Sequence, residues 1–353
     1  MKIMHGMREV AGQAWYAVKG LRESGYDARL VLWDESPMKY PYDECMHMEQ
    51  NRKIMYPVYG MRVFCNFLKC SVKYDTFHFH FGHSLLPKNL DLPILKLLNK
   101  KMYFEFHGSD IRQKSIALKH NKYWEYFDLK NEELLRNRAE KLKKYATAFI
   151  IHDEELFPYL PSGVDVFLVP LRVDLEKFDY AYPDEEKKQD ITIIHAPSSR
   201  GIKGTEYVNK AIEKLKEKYN INYILIEGKT QEEALKEYIK ADIIVDQLLA
   251  GTYGVFAVEG MTMGKPVVTY ITDEMKEFFP EELPVISANP DNIEQKLEEL
   301  IADGALRRKT GVAGREYVYK YHDCGKIGKM LGLIYEGMIK PITGRKAFEQ
   351  LLK

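Results

Sequence analysis

Short β-branched apolar runs alternate with helix-length amphipathic segments along almost the whole chain, and this alternation leaves few architectures open. In the first half, Lys2–His5, Ala28–Trp33, Thr76–Phe81, Met102–Phe106, Ala148–Ile151 and Val166–Val169 read as strands. Gln13–Ser24, Leu90–Asn99 and Asn131–Lys144 carry the 3.6-residue helical period. The second half repeats the scheme with strands at Ile191–His195, Tyr223–Ile226, Ile243–Val245, Val267–Tyr270 and Pro284–Ile286. Its helices are Thr205–Lys218, Gln231–Ile239, Val255–Met263, Asn292–Ala302 and Leu306–Tyr321. Apolar strands separated by helices build parallel sheets covered on both faces. Two such series in 353 residues predict an α/β protein of two Rossmann-like, doubly wound domains. The polar, aperiodic stretch 179–189, with Pro183 inside it, suits the junction. The expected division is 1–180, 181–324, and a tail 325–353 of one or two helices broken near Pro341 to Gly344.

Composition narrows the function classes. Net charge is zero, so the chain as a whole is no polyelectrolyte binder and no nucleic-acid partner is expected. The charge is uneven, however: residues 51–120 hold 12 Lys/Arg against 4 Asp/Glu. That bias suits either a solvated surface or a face for an anionic acceptor or lipid headgroups. No apolar run reaches the roughly 20 residues that span a bilayer, and no signal-peptide core is present. The expected location is cytoplasmic, with peripheral contact at the inner face of the membrane through 51–120. Cys45, Cys65, Cys70 and Cys324 form no CxxC pair and no zinc spacing. Cys65 and Cys70, among aromatic residues, are expected to be buried thiols.

Five segments carry chemistry. The first is Gly251-Thr252-Tyr253-Gly254-Val255-Phe256-Ala257-Val258-Glu259, followed by Gly264-Lys265-Pro266-Val267-Val268. A glycine loop opening a helix after a strand offers backbone N–H groups and partial positive charge to a diphosphate. Glu259, on the first turns of that helix, can accept ribose hydroxyls. The second is His195 to Thr205, where Arg200 and Lys203-Gly204 follow a strand and precede a helix. Cations there can neutralise a departing phosphate. The third is His107-Gly108-Ser109-Asp110, with Ser109 or Asp110 able to cap a following helix. The fourth is Phe77-His78-Phe79-His80-Phe81-Gly82-His83, whose period of two puts His78 and His80 on one face. No carboxylate or thiol pattern completes a metal site there. The fifth is the loop from His5 to Gln13, with Arg8 available for an acidic acceptor group and Gly12 before the helix; its glycines, six apart, are not a dinucleotide fingerprint. Asp246-Gln247 and Glu227-Gly228 end strands and could approach a nucleotide.

Taken in order, these motifs resemble the family 4 glycosyltransferases of the GT-B fold, two Rossmann-like domains facing a cleft. The resemblance implies a retaining transfer of sugar from a nucleotide-sugar donor to a hydroxyl of a glycan, glycolipid or small-molecule acceptor, with no cofactor and no essential metal. It implies that Lys203, with Arg200, neutralises the donor diphosphate, that Gly254 and Val255 open the phosphate-binding helix, and that Glu259 holds the ribose. Glu227 would approach the base, Gly12 would lie in the loop over the diphosphate, and His107 would orient the reacting sugar. It also implies a C-terminal helix packed back on the first domain. The family's first glutamate would fall at Gly251. Its absence keeps open a non-catalytic GT-B relative, and a GT-B sugar-nucleotide epimerase is the other alternative.

Overall fold

The structure is a computed structural model that describes residues 1–48, 56–126, 131–342 and 344–352. The chain divides into two compact units: Met1–Gln113, Asn131–Arg172 and Cys324–Leu351 form the first, and Lys114–Lys130, Val173–Asp323 and Leu352–Lys353 the second.

The first unit holds a seven-stranded sheet of β1 (Lys2–Met7), β2 (Asp27–Leu32), β3 (Glu44–Cys45), β4 (Thr76–His80), β5 (Lys101–Glu105), β6 (Ala148–Ile151) and β7 (Val166–Leu168). Every pairing is parallel, in the order β3-β2-β1-β4-β5-β6-β7. Strand order reverses between β1 and β4, which makes the C-terminal ends of these two strands the switch point where such sheets take ligands. Register pairs His5 with His78 and His80 with Glu105. In-register neighbours share a face, so polar groups accumulate at the switch point while Ile3, Leu30, Ala148 and Ile150 fill the core beneath.

Two helices cover that face, Gln13–Glu23 and Cys324–Glu336. Glycines let their backbones meet. A Cβ on Gly328 would lie 2.0 Å from the Gly20 carbonyl carbon, and one on Gly20 would lie 1.8 Å from the Cys324 oxygen. This close approach seats Tyr335 on the sheet, fully buried.

The second unit holds a five-stranded parallel sheet of β8 (Ile191–His195), β9 (Ile221–Leu225), β10 (Ile243–Val245), β11 (Val267–Thr269) and β12 (Ile286–Ser287), ordered β12-β11-β10-β8-β9. Its switch point lies between β8 and β10, and the loops after these two strands carry the candidate donor residues.

Several sequence expectations shift. The helix Tyr56–Lys73 has no counterpart in the sequence reading. It buries Val63, Phe67 and Cys70 and exposes Met61, Phe64, Leu68 and Val72, so its apolar arc is one-sided but wider than the face it buries. Cys65 is exposed, whereas Cys70 is buried as expected. The last strand of the second sheet is Ile286–Ser287, two residues later than expected. The tail forms Cys324–Glu336 and Arg345–Glu349, with Pro341 and Gly344 between the two helices. Among the described residues, no helix is long and apolar enough to cross a membrane.

Gly328→Ala should destabilise the protein by about 1–3 kcal/mol, because backbone rather than a flexible side chain occupies the Cβ position. A lower urea midpoint at an unchanged m-value is the expected readout.

Candidate functional site

In the second unit the loops after β8 and β10 converge on one carboxylate. Asp246, at the end of β10, is buried. Its Oδ1 accepts from Lys203 Nζ at 2.7 Å and its Oδ2 from the backbone N–H of Gly254 at 2.8 Å. Lys203 also donates to Gln247 Oε1 at 2.8 Å. Gln247 in turn donates to the Thr252 carbonyl and so fixes the loop. A Cβ on Gly254 would lie 3.0 Å from Lys203 Nζ, so the glycine is what lets the ammonium approach the helix start. A cation beside a helix N-terminus is unfavourable without an anion. Asp246 supplies that anion in the free protein. The helix Val255–Thr262 then follows, and the N–H groups of Val255 and Phe256 have no intrahelical acceptor by helix geometry.

Glu259 lies on this helix, buried, and accepts from Gln231 Nε2 at 3.0 Å. Gln231 also accepts from Lys177. Burial lowers the Lys177 pKa, against the pull of Glu259 and Asp174. Arg200 makes a two-pronged ion pair with Glu227, Nε to Oε1 at 2.9 Å and a terminal nitrogen to Oε2 at 2.6 Å, on the exposed surface. That hydrogen-bonded pairing raises the Arg200 pKa and lowers that of Glu227. His195 is a brace: its ring bonds the Val245 carbonyl at 2.8 Å and the Thr205 hydroxyl at 2.9 Å.

Gly251 has a reason of its own. Its φ is +85°, and a Cβ there would lie 2.7 Å from Thr272 Cγ2 and 3.0 Å from Asn121 Nδ2. Asn121 donates to the Leu249 carbonyl at 2.7 Å. The segment 114–126 thus belongs to the second unit and closes this loop from outside its local sequence, a contact that spacing along the chain could not reveal.

In the first unit, His107 is half-buried just past β5. Asp110 does not cap a helix: its Oδ1 accepts from the backbone N–H groups of His107 and Gly108, both at 2.9 Å, and closes a turn. The next helix begins only at Lys114. His107 Nε2 lies 3.1 Å from His80 Nδ1, and His80 Nε2 lies 3.1 Å from His5 Nδ1. His5 and His78 both meet the Tyr335 hydroxyl, at 3.2 and 2.5 Å. Arg172, fully buried, holds Glu105 with contacts of 2.8 and 2.6 Å. Burial alone would raise the Glu105 pKa, but Arg172 and the His78 ring outweigh it and hold the carboxyl well below the usual range. Burial pushes His107 down to about 3 and lowers His5, His78 and His80 as well. The nitrogens of His5, His78 and His80 lie close enough to share a metal, as do the ligand atoms of His80, Glu105 and His107. In this structure those atoms face one another. Tyr335 and Arg172, from distant parts of the chain, had no signal in the sequence.

A cavity of about 430 Å³ opens in the first unit beside the loop after β1, lined by Arg8, Glu9, Trp33, Asp34, His83 and Lys88 among others. Glu9 accepts from the backbone N–H groups of Ala14 and Trp15 at 3.3 and 2.8 Å, at the start of the helix that follows Gly12. Burial still pushes Glu9 up to about 7. Gly12 has φ +82°, and a Cβ there would lie 2.7 Å from the rings of Tyr16 and Tyr40.

No family model matches the chain. It is 23% identical over 304 residues to an uncharacterised glycosyltransferase of Methanocaldococcus jannaschii, covering 78% of this chain and 79% of that protein. It is similar to the sucrose-phosphate synthase of Thermosynechococcus elongatus, with a TM-score of 0.67, 15% identity, and 96% and 99% of the two chains covered. It is likewise similar to HepE of Anabaena, solved in complex with UDP and glucose, with a TM-score of 0.62, 12% identity, and 96% and 100% covered. At these identities the likeness establishes the fold alone: two parallel α/β sheets of the GT-B type.

The buried histidines make stability depend on pH in a definite sense. His107, held at about 3, and His83 and His195, held at about 4, resist protons that the unfolded chain accepts near 6.5. Their contribution is complete above pH 6.5 and is lost as pH falls toward 4, by up to about 1.4 kcal/mol per pH unit for each group. Glu9, raised to about 7, works the other way between 4.5 and 7, as do the raised His152 above 6.5 and Asp34, Asp91 and Asp110 in stronger acid, while the lowered His5, His78 and His80 add to the loss. Urea midpoints should therefore fall markedly between pH 7.5 and pH 5.

Proposed function

We propose that this chain is a nucleotide-sugar-dependent, retaining glycosyltransferase of the family 4 type. The observation that carries the reading is the junction of Lys203, Asp246 and Gly254 at the switch point of the second sheet, on the helix that also carries Glu259. Lys203 and the N–H groups of Val255 and Phe256 neutralise the donor diphosphate, the role a metal plays elsewhere. Asp246 positions Lys203, Glu259 accepts the ribose hydroxyls, and Arg200, released from Glu227, adds a second cation. In transfer the bond from the anomeric carbon to the phosphate oxygen breaks and a bond to the acceptor oxygen forms. The acceptor proton passes to the departing phosphate.

The first unit serves the acceptor and the sugar. His107 meets the reacting sugar, and the cavity beside Arg8 and Trp33 takes the acceptor, an aromatic ring with carboxylates around it suiting a hydroxyl-rich molecule. Since HepE was solved with UDP and glucose, UDP-glucose is the donor to test first. One observation favours a second reading, a non-catalytic relative: the left-handed backbone at Gly251, beside Asn121 and Thr272, leaves no place for a glutamate side chain. Nucleotide-sugar binding without hydrolysis or transfer would select it.

UDP and UDP-sugars should raise the melting temperature by mass action. Lys203→Ala should weaken UDP binding by about 1.5–3 kcal/mol, the range of a charge-assisted contact. Titration calorimetry on the folded variant checks this, and unchanged affinity removes Lys203 from the site.

The reading extends to a peripheral place on an anionic bilayer. The helix Tyr56–Lys73 exposes Met61, Phe64, Leu68 and Val72, with Lys69 and Lys73 beside them. Apolar residues flanked by cations suit a headgroup boundary. The protein should co-sediment with phosphatidylglycerol vesicles but not with phosphatidylcholine vesicles, and Phe64→Asp with Leu68→Asp should abolish the difference.

A further inference from the structure

The five-residue cluster under His107 has a direction. Its contacts run Glu105, His78, Tyr335, His5, His80, His107, and each member after the carboxylate offers one proton to one neighbour. His78 Nε2 lies 2.9 Å from Glu105 Oε2, an electrostatic contact whose angle falls outside hydrogen-bond geometry. A bare nitrogen lone pair at that distance from a carboxylate is repelled, so Nε2 carries the proton and Nδ1 accepts. The Tyr335 hydroxyl, 2.5 Å from that Nδ1, must then donate to it. The tyrosine oxygen is left to accept from His5 Nε2–H. His5 Nδ1 accepts from His80 Nε2–H, and His80 Nδ1 accepts from His107 Nε2–H.

Ring geometry agrees. His80 and His107 have centroids 5.4 Å apart at 24°, and His5 and His80 are 5.4 Å apart at 36°. A separation of 3.1 Å between nitrogens plus two imidazole radii gives this spacing, so the rings meet edge to edge through an N–H···N bond. The reverse register would start from His80 Nδ1–H on Glu105, at 3.4 Å. It would leave a bare His78 nitrogen against the carboxylate at 2.9 Å, or require a charged His78. Burial lowers the proton affinity of all four rings, which favours the neutral register. Arg172 keeps Glu105 charged, so the chain has a fixed origin.

We infer that Glu105, through His78, Tyr335, His5 and His80, sets the tautomer of His107, leaving its Nδ1 as a hydrogen-bond acceptor at the mouth of the switch point. Among the described residues Nδ1 has no hydrogen-bond partner in the protein. On the reading that His107 meets the reacting sugar, Nδ1 takes a hydrogen bond from a sugar hydroxyl and does not donate to developing negative charge. Glu105, Tyr335, His5 and His80 are positioning residues for this acceptor. From the sequence, His107 could donate to a sugar hydroxyl or to developing charge; in this register its Nδ1 accepts instead.

Ring ¹⁵N spectra of histidine-labelled protein test this directly. In the free protein at pH 7.5, His107 should show a protonated Nε2 and an unprotonated Nδ1, assigned by comparison with His107→Gln. Tyr335→Phe removes the hydroxyl that bridges His78 and His5. It should leave His107 as a mixture of tautomers and lower kcat for transfer about tenfold, the worth of one hydrogen bond, with the donor KM unchanged. A protonated Nδ1 on His107 in the unaltered protein overturns the inference, and so does a Tyr335→Phe spectrum identical to the parent. The wild-type spectrum decides the register even if Tyr335→Phe does not fold. Since it needs no nucleotide, a failure of the transferase reading would appear separately, as an absence of donor binding.

Discussion

Both oxygens of Asp246 are bound, and by the two groups that an anion at this helix start would seek: the Lys203 ammonium and the Gly254 N–H. This contact ties together the loop after β8, the end of β10 and the start of the Val255–Thr262 helix. Without the carboxylate, a half-buried ammonium would face the positive end of a helix, an arrangement that costs free energy. With it, the loop is preformed. Gly254 leaves room for this contact, since a Cβ there would crowd Lys203 Nζ at 3.0 Å and Asp246 Oδ2 at 3.2 Å, and Gln247 locks the loop from the other side. Arg200–Glu227 and Glu259–Gln231 follow the same logic at smaller scale: each group proposed to meet the donor is held by a neighbouring side chain.

The first unit is organised around a different buried ion pair, Arg172–Glu105, set among histidines that burial keeps neutral. The close packing of the Gly20 and Gly328 helices is linked to this site, since it seats Tyr335 against His5 and His78. A fold-level device, two glycines in contact, thereby bears on the chemistry at the strand ends. The histidine cluster also explains why the first unit should lose stability in mild acid.

Much of this was legible from residue order. The alternating pattern fixed parallel sheets, and the period of two in Phe77 to His83 put His78 and His80 on one face, as found. Loop-helix motifs singled out Lys203 and Gly254, which the structure brings together on Asp246, and Glu259 on the helix that follows. What stayed hidden was non-local. Asn121 reaches Leu249 across 128 residues, and Tyr335 reaches His5 across 330. Gly251 looked like a missing glutamate, whereas its backbone angle and its neighbours make it a required glycine. The helix Tyr56–Lys73 was legible as well, since its apolar residues lie on one broad arc, yet it is not among the helices read from the pattern.

The most direct test is a crystal structure of the protein with UDP. The account predicts the diphosphate within hydrogen-bond reach of Lys203 Nζ and the Val255 N–H, with the ribose hydroxyls on Glu259. A nucleotide bound elsewhere, with Lys203 and Glu259 untouched, would contradict it.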